Sequence, residues 1–350
     1  MGKSACDCYF DIASVVESSA LFEHGKAPFR VLKQWYYPAS QIYKVRISGS
    51  RPDIVFIKLL RNRNEGEIRK HQMLIENEYK AIKLLHEKCN TQEYGVAQPL
   101  ECIKEKLALI TKEEEGERLD FRLLNFRAFS RDDRSQIERG MLYIGRWLRC
   151  FHEATKSEGK TWDVGSVVPG EIETHIKMLL NYNGKREWGE LPGALMSHVY
   201  DLIHSINGLE FKESLCHGDF IPANILQSRT GRITVMDFSD SRRGIIYEDL
   251  ARFWQWLDDL KIRRPWQKKR DIERMKTQFI RGFFAGEIPS KVLRIYLIKV
   301  NVERLAKLER MKPVGFLGNF RKERRIYYCK QALLRMSQEK LGLEEKINET

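Results

Sequence analysis

The chain of 350 residues has no apolar run long enough to cross a bilayer, for which about twenty consecutive, mostly apolar residues are needed. Its start has no long apolar core either. Met1 to Val16 carries Asp7 and Asp11, a pattern that speaks against a secretory signal. Met1-Gly2 is followed by Cys6 where a myristoylation site wants Ser or Thr. Cysteine is sparse: seven residues are scattered along the chain, and only Cys6 and Cys8 stand close together. No second pair lies at zinc spacing, so reduced thiols in a cytoplasmic protein are expected. No internal repeat, low-complexity linker, RNA-binding signature or zinc finger is present, which argues against a solenoid, a tether or a nucleic-acid partner.

Positive charge is abundant. Lys and Arg number 61 against 48 Asp and Glu, a net +13, which favours anionic partners such as nucleotides, phosphosugars or membrane lipids. The surplus gathers after Lys261, in Lys261-Ile262-Arg263-Arg264, Lys268-Lys269-Arg270 and Arg321-Lys322-Glu323-Arg324-Arg325. Any single run reads first as a solvated helical face. Together these basic helices leave peripheral membrane contact open, without a transmembrane segment.

The densest chemistry lies in Leu215 to Phe253. Asp219 follows Cys216-His217-Gly218, Asn224 comes five residues later, and Asp237 ends the short apolar stretch Ile233 to Met236. The turn Thr230-Gly231-Arg232 predicts a hairpin of Asn224-Ile225-Leu226 with Ile233 to Met236, bringing Asn224 and Asp237 to one end with Asp219 on the loop leading in. A carboxylate and an amide carbonyl are hard oxygen ligands of the kind Mg²⁺ takes. A second carboxylate left free can orient a hydroxyl and accept its proton.

The pattern His-Gly-Asp-x-x-x-x-Asn followed by Asp-Phe resembles the catalytic core of the aminoglycoside phosphotransferase and choline kinase group, which shares the protein-kinase-like fold. Protein kinases carry His-Arg-Asp-x-x-x-x-Asn and Asp-Phe-Gly. Gly218, Pro222 and Ser239 point instead to the small-molecule branch, as does Tyr247-Glu248-Asp249-Leu250-Ala251. The resemblance implies an α+β, bilobal fold: a small antiparallel-sheet N-lobe over 29–115 after an N-terminal extension, 1–28, and a larger, mainly helical C-lobe over 116–350. It implies ATP or GTP with Mg²⁺ as cofactors, Asn224 and Asp237 as metal ligands, Asp219 as the catalytic carboxylate, and His217 and Asp249 as supports of the loop.

Earlier in the chain, Phe29 to Trp35, Ile42 to Ile47 and Ile54 to Leu59 read as three strands. Lys58 stands where the family places its nucleotide lysine. A lysine in an apolar strand sends its ammonium to an anion or to water, and the predicted helix Met73 to Lys88 offers one: the resemblance implies Glu78 as the partner, with Glu76 as a rival. The family's phosphate loop would fall at Pro38-Ala39-Ser40-Gln41, which has no glycine. Ser40 is the candidate phosphate contact there, against an ordinary hairpin turn. The lobe boundary is expected near Glu115. Ser135 to Glu153 reads as an amphipathic helix ending in a structural His152. The stretch Trp162 to Pro192, rich in Gly, Asn and Trp, reads as a loose connection or a substrate-binding insertion.

The expected reaction is phosphoryl transfer to a small-molecule hydroxyl. Alternatives are an aminoglycoside kinase, an inactive nucleotide-binding module and a protein kinase. Arg242 and Arg243, close after Asp237, are candidate acceptor contacts. They favour a neutral or anionic sugar, phosphosugar or glycolipid headgroup over a polycation.

Overall fold

A computed structural model describes residues 12–22, 28–49, 52–61, 65–125, 131–182, 188–206, 209–264, 269–284, 290–313 and 315–338. Gly2, Cys6, Cys8, the turn residues Ser50 and Arg51, Lys268, and residues 183–187 and 339–350 lie outside that set. The chain divides into two compact units, one formed by residues 1–116 with 234–239, the other by 117–233 with 240–350. The fold is α+β: an antiparallel sheet builds the first unit and helices dominate the second.

In the first unit, β1 (Phe29–Tyr36), β2 (Ser40–Ile47) and β3 (Ile54–Leu60) form a meander, followed by helix α2 (Ile68–Lys88) and strands β4 (Tyr94–Val96), β5 (Pro99–Ile103) and β6 (Ala108–Lys112). A sheet of order β1-β2-β3-β6-β5 results. Strand alternation sorts the side chains. Val55, Ile57 and Leu59 are fully buried with Tyr43, Val45, Ile47 and Ile110 in one cluster. A short preceding helix, α1 (Ile12–Ser18), puts Val15 and Val16 into the same cluster. The backbone N–H of Ala20, just after α1, donates to Glu101 Oε1 at 3.1 Å, tying this early segment to β5. Helix α2 begins five residues before the predicted Met73. Its first turn, Ile68-Arg69-Lys70-His71, is mostly charged and carries no apolar stripe to announce it.

The second unit opens with α3 (Leu119–Leu124) and the long α4 (Arg131–Thr155), and continues with α5 (Val164–Tyr182) and α6 (Leu191–Ser205). Helix α5 occupies much of the stretch expected to be loose. Gly165, Pro169 and Gly170 mask it in the sequence, because Pro removes a helix donor and Gly weakens a helix. The buried spacing Val164, Val168, Ile172, Ile176, Leu179 overrides them. After residues 209–246 come α7 (Tyr247–Arg263), α8 (Lys269–Phe283), α9 (Ser290–Arg310) and α10 (Gly315–Gln338). Helices α4 and α8 cross closely at two glycines. A Cβ on Gly145 would meet the Phe279 carbonyl at 2.1 Å, and one on Gly282 the Leu142 carbonyl at 2.1 Å.

Among the described cysteines, Cys102, Cys216 and Cys329 are free thiols. Cys89 and Cys150 each take part in a disulfide rather than standing as free thiols, which corrects the expectation of reduced thiols throughout. No described helix is long and apolar enough to cross a membrane.

Candidate active site

The first unit holds a buried ion cluster built on Lys58. Alternation on β3 turns Lys58 away from the core face that Ile57 and Leu59 occupy. Its ammonium lies 2.8 Å from Glu78 Oε1 and 3.0 Å from Oε2. It also donates to Asp237 Oδ1 at 2.7 Å. The Lys58 side chain is 13% exposed and that of Glu78 2%. Burial works against the charge on Lys58, but Glu78 first and Asp237 second outweigh it and raise its pKa, so the ammonium stays protonated. Burial pushes the Glu78 carboxyl up against the pull of Lys58. Glu76, the rival partner, instead accepts from Lys80 and Lys104, both at 2.8 Å. Those two lysines hold its carboxyl below the ordinary range.

Asp237 adopts a left-handed backbone with φ of 65°, a conformation that Asp tolerates better than most side chains. Its Oδ1 accepts from Lys58 and also from Ser239 Oγ at 2.9 Å. The residue that replaces the glycine of Asp-Phe-Gly thus fixes one oxygen of the carboxylate. Sequence reading treats Ser239 as a mere variant; an Asp-x-Ser spacing, suited to a local side-chain hydrogen bond, is the signal that finds it. Ser40 opens β2 after a tight turn in which Tyr37 N–H donates to the Ser40 carbonyl at 2.9 Å. Ser40 itself is 9% exposed.

The second unit holds the loop His217-Gly218-Asp219. Strand Ser214–Cys216 enters it, paired antiparallel with Arg242–Gly244 so that Cys216 faces Arg242 and Leu215 faces Arg243. Phe220 anchors the other side. It is fully buried and stacks on Trp147 of α4 at 5.6 Å between ring centroids. Asp249, at the start of α7 and fully buried, accepts the backbone N–H of His217 at 2.7 Å and of Gly218 at 3.0 Å. Burial pushes its carboxyl up, opposed by His217 and these two N–H groups. His152 Nε2 lies 3.6 Å from Asp249. Burial lowers its pKa to about 3, so this imidazole is neutral and the contact is not an ion pair. His152 Nδ1 meets Ser214 Oγ at 3.0 Å, which makes the histidine a brace of the entering strand.

Gly218 has φ of +83°, and a Cβ there would meet the Asp240 carbonyl at 2.2 Å and Arg242 Nη1 at 2.9 Å. No side chain fits, which explains glycine where protein kinases carry Arg. Beyond it, Asn224 Nδ2 donates to the Asp219 carbonyl at 2.9 Å and to Asp219 Oδ2 at 3.1 Å. The amide nitrogen is committed to Asp219, and the Asn224 carbonyl oxygen is the group that could take a cation. The chain then turns tightly, Ser228 N–H donating to the Arg232 carbonyl at 2.9 Å.

The two candidate acceptor arginines separate. Arg243 Nη1 donates to the Thr155 carbonyl at 2.7 Å, ending α4. Arg242 pairs with Glu248, yet its side chain remains 49% exposed beside Gly218. Glu248 is also approached by Arg252 at 3.6 Å and by the buried Lys299 at 3.6 Å, whose ammonium binds Glu171 at 2.6 Å. Sequence reading missed this network, although the i,i+4 pair Glu248–Arg252 signals part of it. Among the described residues no group of three or more His, Cys, Asp or Glu could hold a metal ion.

The family model described as the phosphotransferase enzyme family, APH, matches residues 177–284. No curated protein matches the chain in sequence. Among solved structures, the chain is similar to a choline/ethanolamine kinase family protein from Mesorhizobium loti, with 14% identity, 92% of this chain and 93% of that one covered, and a TM-score of 0.52. It is also similar to a thermostable mutant of the aminoglycoside phosphotransferase APH(4)-Ia in ternary complex with AMP-PNP and hygromycin B, with 13% identity, 94% and 99% coverage, and a TM-score of 0.57. At such identities the likeness concerns the fold, and that fold is kinase-like, as the sequence resemblance implies.

Proposed function

We propose that the chain is a phosphotransferase that moves the terminal phosphoryl group of ATP, or GTP, to a hydroxyl of a small molecule. The observation that carries this reading is the Lys58 ammonium held between Glu78 and Asp237. A buried lysine with two carboxylates, one of them 48% exposed, is a poor way to gain stability and a good way to fix a cation for phosphate oxygens. The match over 177–284 supports the reading, since it spans Asp219, Asn224, Asp237 and Asp249.

In this reading Lys58 neutralises phosphate charge, and Ser40 contributes from the tight turn before β2. Asn224 and Asp237 are the residues that would hold Mg²⁺. The donor chemistry fits: both offer hard oxygens, and two protein ligands suffice for an ion that keeps waters and binds phosphates. Bound there, the ion would supply charge neutralisation on the nucleotide. Asn224 fixes one oxygen of Asp219 and leaves the other to orient the acceptor hydroxyl and take its proton. His217 and Asp249 hold that loop in shape.

The acceptor in this reading is neutral or anionic. Arg242, half exposed at the catalytic loop, supports it; Arg243, bound to the Thr155 carbonyl, does not contribute. The test is ATP consumption across sugars, phosphosugars, amino alcohols, glycolipid fragments and kanamycin-like polycations, with Asp219→Asn and Asp237→Ala as controls. Turnover of a neutral or anionic hydroxyl compound that both variants lose is the expected result. Salt-sensitive turnover of the polycation alone would reverse the sign of the acceptor site. Unchanged turnover in Asp237→Ala would remove the metal assignment.

A further inference from the structure

The last described helix, α10, carries six Lys and Arg against one Glu. Ile326, Cys329 and Leu333 form its buried seam. On the opposite side stand Phe316, 85% exposed, Phe320, 58%, and Tyr327, 59%, flanked by Leu317 at 67%. Single exposed apolar residues are ordinary, but Phe316, Leu317 and Phe320 grouped within the first two turns of one helix mark an interaction surface. Not all the neighbouring cations are free to serve it. The Lys322 ammonium is held by the carbonyls of Glu309 and Met311 at 2.9 and 3.0 Å, and Arg325 turns toward Asp259 at 4.0 Å. Lys312 and Arg321 are exposed, and Arg324 holds its guanidinium 5.8 Å from the Tyr328 ring.

We propose that this face of α10 docks on an anionic lipid surface. Phe316, Leu317 and Phe320 enter the boundary between headgroups and acyl chains, while Lys312, Arg321 and Arg324 meet lipid phosphates. Basic side chains beside Phe and Leu on a helix of low overall hydropathy are the composition of interfacial helices. The exposed face of a single helix is convex, which a deformable lipid surface accommodates readily. A second copy of the chain is disfavoured, because each carries a net +13 and the face is itself basic. The association is peripheral, as no described helix spans a bilayer, and it does not depend on the phosphotransfer reading.

The test is co-sedimentation of the full chain with phosphatidylcholine vesicles, with and without phosphatidylglycerol. Each cation near a charged bilayer contributes roughly fivefold in binding, so three give on the order of a hundredfold preference for anionic vesicles at low salt, fading as salt rises. The double variant Phe316→Asp/Phe320→Asp alters exposed positions only, so its unfolding midpoint should match the wild type, and its vesicle binding should fall at least about tenfold. Arg321→Gln/Arg324→Gln should lose most of the preference for phosphatidylglycerol. Absence of wild-type sedimentation with anionic vesicles, equal binding to neutral ones, or unchanged binding by the Phe double variant would overturn the proposal. So would a dimer in light scattering that becomes a monomer in that variant, which would assign the face to a second copy.

Discussion

Substituting Gly218 by Ala perturbs the loop His217-Gly218-Asp219 through one methyl group. The new Cβ would lie 2.2 Å from the Asp240 carbonyl oxygen, where ordinary contact begins at 3.4 Å. One side must yield by about 1 Å. Neither yields easily: Gly218 N–H is bound to the buried Asp249, and the next residue but one, Phe220, is stacked under Trp147. The left-handed φ adds about 1–2 kcal/mol for any residue with a Cβ. With the backbone shift the total comes to roughly 2–4 kcal/mol, a fall in Tm of about 3–5 °C for a chain of this length. Asp219, the proposed catalytic carboxylate, follows directly, and in that role a displacement of about 1 Å costs on the order of a hundredfold in rate. The assay pairs thermal unfolding with steady-state turnover of the acceptor found in the screen. Expected is a kcat near one hundredth of wild type with nucleotide KM little changed, since Lys58 and Glu78 are untouched. An alanine variant with wild-type kcat and an unshifted Tm would refute both the tight loop and its catalytic role.

Three further outcomes are expected. Lys58→Met leaves Glu78 buried without a cation; it should lose about 3–5 kcal/mol in denaturant unfolding and all turnover, and adding Glu78→Leu should restore most of the stability but none of the activity. Asp249→Asn exchanges a two-fold acceptor for a group with one acceptor and a donor facing an N–H; kcat should fall at least tenfold, with about 2–3 kcal/mol lost in unfolding. The His152 pKa of about 3 lies below the unfolded value near 6.5, so the unfolded state takes up the proton first; stability is unaffected above pH 6.5 and falls as pH drops toward 3. Between pH 6.5 and 4.5 the loss is about 2 kcal/mol, and a His152→Gln variant with an equally steep acid profile would exclude His152 as its source.

What the sequence reveals and what it hides follows physical range. Lys58 and Glu78 are legible because the family resemblance marks the lysine on its strand and a partner in the first half of the next helix, and the structure joins them. Asp219 and Asn224 are five residues apart and bonded to each other, within reach of spacing arguments. Arg243 is not legible in this way. Its partner, the Thr155 carbonyl, lies 88 residues earlier, and no local pattern says that a guanidinium will end a distant helix. Helix α5 was hidden by Pro169 and its flanking glycines, whose local preference lost to tertiary burial of Val168, Ile172 and Ile176. Isolated cysteines carry no signal of oxidation, so Cys89 and Cys150 could not be told from the free thiols.

The residues Thr234–Ser239 belong to the first unit although the chain reaches them only after building much of the second. Asp237 follows Lys58 by 179 residues. At about 5–20 residues per second, a nascent chain spends roughly 10–35 s with the lysine made and its second carboxylate not yet synthesised. Through that interval Lys58 has Glu78 alone, a neutral pair rather than a cluster with net negative charge. A fragment ending at residue 116 would be left permanently in that earlier electrostatic state, however well its sheet formed.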